Sequence, residues 1–341
     1  MTDLFGAADW RALARHAINQ KTKPQGSLGR LEDVAVALAS LQRTLQPSVE
    51  PVKVIVFAAD HGIARAGVSA YPSEVTAQMV RNFAAGGAAI NVLARCAGAA
   101  LEIVDVGVAG DLRDLSNIVH ASCGFGTEDF SQRAAMSPAQ YAAASTAGVA
   151  AVERAADARL LVLGEMGIGN SSAAAALTSA YLGAAAALTV GPGTGVEGVR
   201  LANKRALIER ALQRCAGVSD PYEVLRELGG FELVALSAAM QAAADRGIAV
   251  LVDGYIACAA ALAACRMRPE TRAALLFAHR SAEPGHALLL SALNAQPILD
   301  LAMRLGEGSG AALAVPIVRA ACAILSEMAS FEQAGVSREQ A

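Results

Sequence analysis

The chain has 341 residues, enough for one large domain or two domains of ordinary size. Its residues are 54% hydrophobic and only 17% charged, which excludes an intrinsically disordered chain, because disorder requires low hydrophobicity and high charge. The 28 basic and 31 acidic residues nearly balance, so we do not expect nucleic-acid binding through phosphate neutralisation. Alanine accounts for 79 residues, and the hydropathy therefore reflects small side chains.

The sequence gives no indication of secretion or of a membrane span. Its first residues lack a basic segment followed by an apolar stretch. The longest uncharged run, 166–196, is interrupted by the Gly-Pro-Gly-Thr-Gly segment at 191–195, and we interpret it as a buried helix followed by a glycine loop. The six cysteines show no C-x-x-C spacing, and the five histidines form no metal-ligand grouping. We expect a cytoplasmic protein with reduced thiols, no metal site and no membrane association.

Short runs of aliphatic and β-branched residues recur along the chain, each followed by a turn and a longer helix-like stretch. Five such runs predict strands, at 52–57, 101–106, 160–163, 248–252 and 275–278. Apolar strands that alternate with helices favour an α/β fold with a parallel sheet covered on both faces. The glycine turns then fall at the carboxyl ends of the strands, where such sheets bind ligands.

The two ends of the chain differ from this pattern. Residues 9–39 and 311–328 have helical character without an accompanying strand. We predict that the ends, 1–44 and 309–341, form a small helical domain beside an α/β domain at 45–308.

Two glycine-rich segments could hold an anion. The segment 164–172 places backbone amides and two hydroxyls at the start of a helix, which suits a phosphate. The loop 191–195 is followed by Lys204, which could add a positive charge, although a lone lysine is more simply a surface residue. Neither segment is a P-loop or a dinucleotide-binding fingerprint. From the residues alone, the glycines of these segments could serve either to bind a phosphate or only to permit tight turns and close packing.

Two glutamates stand beside glycines and are candidates for chemistry. Glu307 lies between glycines just before a helix, where an apolar wall would raise the pKa of its carboxyl and make it a general base. Glu165 is the second such carboxylate. The simpler interpretation of both is an acidic residue stabilised by a helix N-terminus. Asp60 and His61 could form a catalytic dyad, but a turn with a hydrogen-bonded histidine is the simpler interpretation.

Eight segments together carry a resemblance to a known family, and they span nearly the whole chain. They are KPQGSLGRLE at 23–32, ADHG at 59–62, GVSAYP at 67–72, GGAAIN at 86–91, GEMGIGNS at 164–171, GPGTG at 191–195, HRSAEPGH at 279–286 and RLGEGSGA at 304–311. In these segments the chain resembles the nicotinate-nucleotide–dimethylbenzimidazole phosphoribosyltransferase family, which assembles the lower ligand of cobalamin.

The resemblance implies transfer of 5-phosphoribosyl from nicotinate mononucleotide to 5,6-dimethylbenzimidazole, giving α-ribazole 5′-phosphate and nicotinate without a cofactor. It also implies a Rossmann-like parallel sheet in a nucleotide- and base-binding domain, a helical domain built from the chain ends, and a homodimer. Transfer to adenine, another benzimidazole or a phenol remains an alternative, as does a catalytically silent nucleotide-binding protein. An oxidoreductase is less consistent with the sequence, because the dinucleotide fingerprint is missing.

The resemblance also implies roles for individual residues. The catalytic base falls on Glu307, and Glu165 lies by the nucleotide. Phosphate and nucleotide binding falls on Gly167, Gly169, Asn170, Ser171, Gly193, Thr194, Gly195, Lys204 and Ser281. The base pocket falls on Tyr71, Gln78 and Leu305.

Overall fold

Six parallel strands form the centre of the molecule in a computed structural model that describes residues 9–337. The strands are β1 Val52–Ala59, β2 Ala100–Gly107, β3 Val119–His120, β4 Leu160–Met166, β5 Ala249–Val252 and β6 Leu275–Phe277. Their order across the sheet is β3-β2-β1-β4-β5-β6. The strand order therefore reverses between β1 and β4, and in open parallel sheets ligands bind outside the carboxyl ends of the strands at such a point.

Helices cover both faces of this sheet. They are α1 Trp10–Asn19, α2 Arg30–Gln42, α3 Glu74–Ala85, α4 Ala89–Ala97, α5 Pro138–Arg154, α6 Asn170–Leu182, α7 Ala186–Thr189, α8 Gly198–Arg214, α9 Pro221–Leu228, α10 Phe231–Asp245, α11 Tyr255–Met267, α12 His286–Ala292, α13 Ser309–Glu327 and α14 Phe331–Ala334. Two 3₁₀ helices, Gly62–Ala66 and Pro269–Ala274, complete the described elements.

The apolar core lies on both faces of the sheet, because successive side chains of a strand point to opposite faces. On β1, Ile55 and Phe57 pack with α5, α6, α10 and α11, whereas Val54 and Val56 face the opposite layer. That layer contains the buried apolar residues of α2, α4 and α13. Both faces of the central strands are buried, as the continuous apolar runs of the sequence predict.

The predicted elements are largely confirmed, with three differences. The five predicted strands form, but β4 continues to Met166, so that Glu165 lies in a strand and not in the following loop. The two-residue strand β3 had no signal in the sequence. The predicted helix at 9–39 is two helices, α1 and α2, because the glycine-containing segment 20–29 interrupts it.

The helices of the two chain ends lie against each other. Helices α1, α2 and α13 pack together, and their buried residues join the core on the second face of the sheet. Residues 1–8 and 338–341 of the predicted helical domain lie outside the described residues. The boundaries at 44/45 and 308/309 stay a prediction.

Within residues 9–337, α13 is long and apolar enough to cross a membrane by length and composition. In the molecule 56% of that helix is buried against other elements, and core helices have the same composition.

A close helix contact on the first face depends on a glycine. Gly148 of α5 lies against the backbone of α10, where a Cβ would overlap the carbonyl group of Ala235. An alanine in a helix interior usually stabilises by about 1 kcal/mol relative to glycine. Here the overlap would push α5 away from α10, and overpacking of this kind destabilises by about 1–3 kcal/mol.

We therefore expect Gly148→Ala to lower the melting temperature, measured by circular dichroism or calorimetry, despite its better helix propensity. Thr146→Ala is the matched control, because Thr146 is exposed on the same helix and its hydroxyl donates only to the Ala142 carbonyl of that helix. A Gly148→Ala protein as stable as the control would contradict the packing described for α5 and α10.

Candidate active site

A cavity of about 350 Å³, lined by both polar and apolar groups, opens at the carboxyl ends of β4, β5 and β6. It is lined by Tyr71, Glu165, Asn170, Ser171, Gly193, Thr194, Gly254, Tyr255, Ile256, His279, Ser281, Glu283, Arg304, Leu305 and Gly306. Glu165 lies at the end of β4, and Gly254, His279, Ser281 and Glu283 stand in the segments that follow β5 and β6, as expected for a ligand site in an open parallel sheet.

The end of β4 and the loop 306–308 are in direct backbone contact. The amide of Glu307 donates a hydrogen bond to the carbonyl oxygen of Glu165, with an N···O distance of 3.2 Å. A Cβ at Gly164 would overlap the Glu307 carbonyl, and a Cβ at Gly306 would overlap the Glu165 carboxylate. Glycine at both positions therefore allows two glutamates from distant parts of the sequence to lie side by side.

The loop 306–308 has an uncommon backbone. Its three residues have φ angles of 86°, 64° and 87°, in the left-handed region. Glu307 adopts this conformation without being glycine, which is uncommon for a residue with a side chain and concentrates at functional sites. The hydroxyl of Ser309 donates to the Gly306 carbonyl at 2.7 Å and helps to hold the turn.

The Glu307 carboxylate is buried beside the first turn of α4. Only 6% of the residue is exposed, and its Oε2 accepts a hydrogen bond from the Ile90 amide at 3.2 Å. Burial raises the pKa of the Glu307 carboxyl, and Asp253 adds to the rise, while the Ile90 amide opposes it. The neighbours Leu305 and Gly306 line the cavity, whereas Glu307 itself lies behind them.

The Glu165 carboxylate forms part of the cavity wall. It accepts a hydrogen bond from the side-chain amide of Asn170. Burial raises the pKa of Glu165 well above its usual value, and the negative charges of Asp253, Glu232 and Glu307 act in the same direction. Glu165, Glu307 and Asp253 thus form a buried cluster of carboxyl groups at the strand ends, and the pKa of each is raised by burial.

Asp253 fixes the start of α13 against β5. It follows β5 directly, and its carboxylate accepts the Ala311 amide of α13 at 2.8 Å. His279, which follows β6, has its Nε2 3.6 Å from an Asp253 oxygen. Asp253 therefore connects β5 and β6 to the helix that follows Glu307.

Lys204 is a buried cation and not a surface residue, so the simpler interpretation of this lysine is wrong. Its Nζ donates to the Ser171 hydroxyl at 3.0 Å and to the Gly191 carbonyl at 3.1 Å. Only 1% of the residue is exposed, and this burial lowers the pKa of Lys204 to about 8, against the opposing effect of Glu283. The lysine joins α8, the start of α6 and the glycine loop 191–195.

Side chains from other parts of the chain hold the loop 191–195. The Gly193 amide donates to Oε1 of Glu283 at 3.0 Å, and Arg304 donates to the Gly193 carbonyl at 3.1 Å. Thr194 Oγ1 accepts the Ala70 amide at 3.1 Å. The loop therefore brings a cation, a carboxylate and backbone polar groups to one wall of the cavity.

The structure brings together most of the residues that the sequence singled out. Eight of them line the cavity: Tyr71, Glu165, Asn170, Ser171, Gly193, Thr194, Ser281 and Leu305. Lys204 stands directly behind Ser171, and Glu307 behind Gly306.

Besides Lys204 and Glu307, four predicted residues are not part of the cavity wall. Gly167 and Gly169 pack against the side chain of His61, where added Cβ atoms would crowd it. Gly195 and Gln78 are exposed, the latter on α3. The two glycines at 167 and 169 thus have a packing reason that is independent of any ligand.

The candidate dyad at Asp60 and His61 does not line the cavity. His61 Nε2 is 2.7 Å from a Glu232 oxygen, and both side chains are fully buried. Asp60 accepts the Ala109 amide at 2.9 Å. This arrangement fits the simpler interpretation, a turn with a hydrogen-bonded histidine.

The sequence analysis gave no individual role to several cavity residues, namely Gly254, Tyr255, Ile256, His279, Glu283 and Arg304. A signal was present for some of them, because Gly254 and His279 follow predicted strands at the ligand-binding edge of the sheet. Tyr255 had none, and it is placed by a hydrogen bond from its hydroxyl to the Thr189 carbonyl at 2.9 Å.

Comparison with known proteins agrees with this geometry. A family model described as Phosphoribosyltransferase matches residues 6–336. The nicotinate-nucleotide–dimethylbenzimidazole phosphoribosyltransferase of Pseudomonas aeruginosa strain PAO1 is 52% identical over 330 residues, covering 96% of this chain and 94% of that protein. The protein of the same name from Xanthomonas oryzae pv. oryzae is 52% identical over 341 residues, covering 98% of each chain.

Solved structures agree as well. A crystal structure of CobT from Thermus thermophilus matches with a TM-score of 0.94 and 46% identity, covering 97% of this chain and 100% of that one. A second structure from that organism, named as the same phosphoribosyltransferase as the two relatives, matches with a TM-score of 0.93 and 45% identity, covering 98% of this chain and 100% of that one. The chain belongs to the nicotinate-nucleotide–dimethylbenzimidazole phosphoribosyltransferase family.

Proposed function

We propose that this protein transfers the 5-phosphoribosyl group of nicotinate mononucleotide to 5,6-dimethylbenzimidazole, giving α-ribazole 5′-phosphate and nicotinate. The observation that carries the proposal is the pairing of Glu165 and Glu307, two buried glutamates held together beside a cavity that has the buried Lys204 behind its Ser171. Names of relatives about 50% identical over nearly the whole chain support the choice of substrates.

Glu307 is the proposed base. One ring nitrogen of the acceptor attacks C1′ with its lone pair, the C1′–N bond to the pyridine breaks, and nicotinate leaves with the bonding electrons. The other ring nitrogen of the acceptor loses its proton to the Glu307 carboxylate. A raised pKa suits this role, since a base works best when its pKa lies near the working pH. Attack opposite to the leaving group turns a β donor into an α product.

An ionised carboxylate beside the ribose favours the positive charge that develops there. As the C1′–N bond weakens, positive charge appears on the ribose ring, and Glu165 is the proposed group that stabilises it. The departing nicotinate needs no proton. Its ring nitrogen is cationic in the nucleotide, and it becomes neutral when it keeps the electrons of the C1′–N bond. Pyrophosphate is not released either, so the chemistry itself does not require magnesium.

The phosphate of the nucleotide is proposed to bind at the wall formed by Lys204 and the loop 191–195. Ser171 and Asn170 at the start of α6, together with Gly193, Thr194 and Ser281, line the cavity there. Gly167, Gly169 and Gly195 would shape the segments that carry these groups. Fixing the phosphate places C1′ against the incoming ring, and this positioning contributes to the rate.

The acceptor ring is proposed to lie between this nucleotide and the apolar side chains at the mouth of the cavity. Tyr71 and Leu305 line the cavity and are 56% and 57% exposed, so a flat aromatic ligand could cover apolar surface there. Gln78 on α3 is the third proposed contact. We also propose a cytoplasmic homodimer without a bound cofactor or nucleic acid.

The proposed function is tested by incubating the protein with nicotinate mononucleotide and a panel of acceptors, namely 5,6-dimethylbenzimidazole, adenine, unsubstituted benzimidazole and a phenol. Chromatography of the products then identifies the acceptor that is used. The dimethylbenzimidazole product should form fastest. Preference for another base would correct the identity of the acceptor. If nicotinate is not released with any of the four acceptors, the transferase proposal is contradicted.

Glu307→Gln tests the base. We expect turnover to fall by about 10²–10⁴-fold, the usual contribution of a positioned base, while nicotinate mononucleotide still binds because the amide keeps the shape of the side chain. Single-turnover kinetics and calorimetric titration give the two quantities. Glu209→Gln removes an exposed carboxylate from α8 and should change neither. Near-normal turnover in Glu307→Gln would remove Glu307 from this role.

Lys204→Ala tests the cation. A hydrogen bond to a charged group contributes about 1.5–3 kcal/mol, so we expect the KM for nicotinate mononucleotide to rise by about 10- to 100-fold. Arg210→Ala, at an exposed position of the same helix, is the control. An unchanged KM in Lys204→Ala would show that the phosphate binds elsewhere.

The lowered pKa of Lys204 also predicts a pH dependence. Below about pH 8 its ammonium is protonated and attracts the phosphate, and as the pH rises through about 8 the charge is lost. The wild-type KM for nicotinate mononucleotide should therefore rise above pH 8. Lys204→Arg keeps its charge over this range, so any such rise should disappear in that variant. A rise of equal size in both proteins would assign the effect to another group.

A further inference from the structure

One carboxylate of the cavity has no part in the proposed chemistry. Glu283 lies in the segment that follows β6 and is only 8% exposed. Its Oε1 accepts the Gly193 amide at 3.0 Å, and its Oε2 lies so close to Gly191 that a Cβ there would overlap it. The carboxylate therefore fills the inside of the loop 191–195.

The segment that carries Glu283 is itself ordered by local hydrogen bonds. The Ser281 amide donates to Nδ1 of His286 at 2.8 Å, and the Glu283 amide donates to the Ser281 hydroxyl at 3.3 Å. Nδ1 of His286 is thus an acceptor, which leaves Nε2 as the N–H that faces Cys258 Sγ at 3.1 Å. Glu283 is held in the loop by its own neighbours as well as by Gly193.

The surroundings of Glu283 are those of an anion site. A backbone amide in a glycine loop, here that of Gly193, a lysine and an arginine are groups that proteins use to hold phosphate. Lys204 reaches the Gly191 carbonyl, and Arg304 reaches the Gly193 carbonyl, so both cations border the loop. Burial raises the pKa of Glu283, whereas Lys204, the Gly193 amide and Arg304 favour its charged form.

We propose that Glu283 is an internal counter-anion, whose carboxylate occupies the Gly193 amide in the empty enzyme and must give it up to the phosphate of the substrate. This inference rests on the phosphate site of the proposed function. Any anion that enters the loop meets the same competitor. A whole nucleotide has further contacts through its ribose and pyridine that offset the penalty, whereas free phosphate has none. Glu283 thus makes the site select the whole nucleotide over small anions such as free phosphate.

A second role for Glu283 predicts the opposite effect. If the carboxylate only orders the loop, its removal would loosen the amides and weaken anion binding. If it competes with the anion, its neutralisation would strengthen anion binding. Glu283→Gln separates the two, because the amide oxygen still accepts from Gly193 while the negative charge is gone.

The experiment is calorimetric titration of the full chain with sulfate and with inorganic phosphate at pH 7. Sulfate is included because its charge stays constant near neutral pH. We expect Glu283→Gln to bind both anions about tenfold more tightly than the wild type. The anion then no longer has to displace a charged carboxylate from the Gly193 amide, and a charge-assisted hydrogen bond contributes a free energy of this order. The KM for nicotinate mononucleotide should fall in the same variant.

Glu197→Gln is the matched control. Glu197 follows the same loop but is exposed, so its neutralisation removes one negative charge nearby and should leave both anion affinities unchanged. If Glu197→Gln binds the anions more tightly by the same factor, the effect at Glu283 is explained by net charge alone and the proposal is overturned. Circular dichroism confirms that each variant is folded.

The remaining outcomes are also decisive. Unchanged or weaker anion binding in Glu283→Gln would overturn the counter-anion role while leaving the phosphate site in place, provided that Lys204→Ala still weakens binding of the anions. Anion binding that is absent from every variant would overturn the counter-anion role, and an unchanged KM for nicotinate mononucleotide in Lys204→Ala would overturn the phosphate site itself and the counter-anion with it.

Discussion

The site depends on one backbone contact, the hydrogen bond from the Glu307 amide to the Glu165 carbonyl where β4 meets the loop 306–308. It joins a central strand to the turn that precedes α13, and glycines at 164 and 306 leave room for it. Burial makes each glutamate harder to ionise, and the contact places both in one region together with Asp253. The proposed base and the proposed electrostatic group are thereby held on a rigid sheet edge, which favours precise placement.

The opposite wall of the cavity is organised by a buried cation. Lys204 connects α8 to the start of α6 and to the loop 191–195, so a charged group forms part of the packing. A buried ammonium is costly unless it is hydrogen-bonded, and here a hydroxyl and a carbonyl satisfy it in part. Lys204 and Arg304 thus stand at one side of the cavity and the carboxyl groups of Glu165 and Glu307 at the other, an arrangement that suits a substrate with an anionic phosphate at one end and a developing cation at C1′.

Alanine richness has a structural consequence beyond composition. The helices on the first face of the sheet approach closely because their contact positions carry alanine and glycine, as at Gly148 and Ala235. Small side chains provide little apolar area each, and many of them must be buried to form a core of this size. The core is therefore spread over both faces of the sheet, with the chain-end helices completing the second face.

The sequence by itself determined the alternation of strands and helices, the parallel sheet, and the glycine turns at the strand ends, since these follow from local periodicity and from backbone conformations that favour glycine. Its motifs also indicated the family and the pair Glu165 and Glu307. Only the tertiary structure decided that Lys204 is buried, that Glu283 occupies the glycine loop, and that Gly167 and Gly169 pack against His61. Burial and partnership between distant residues depend on how the elements pack, and no local pattern encodes them.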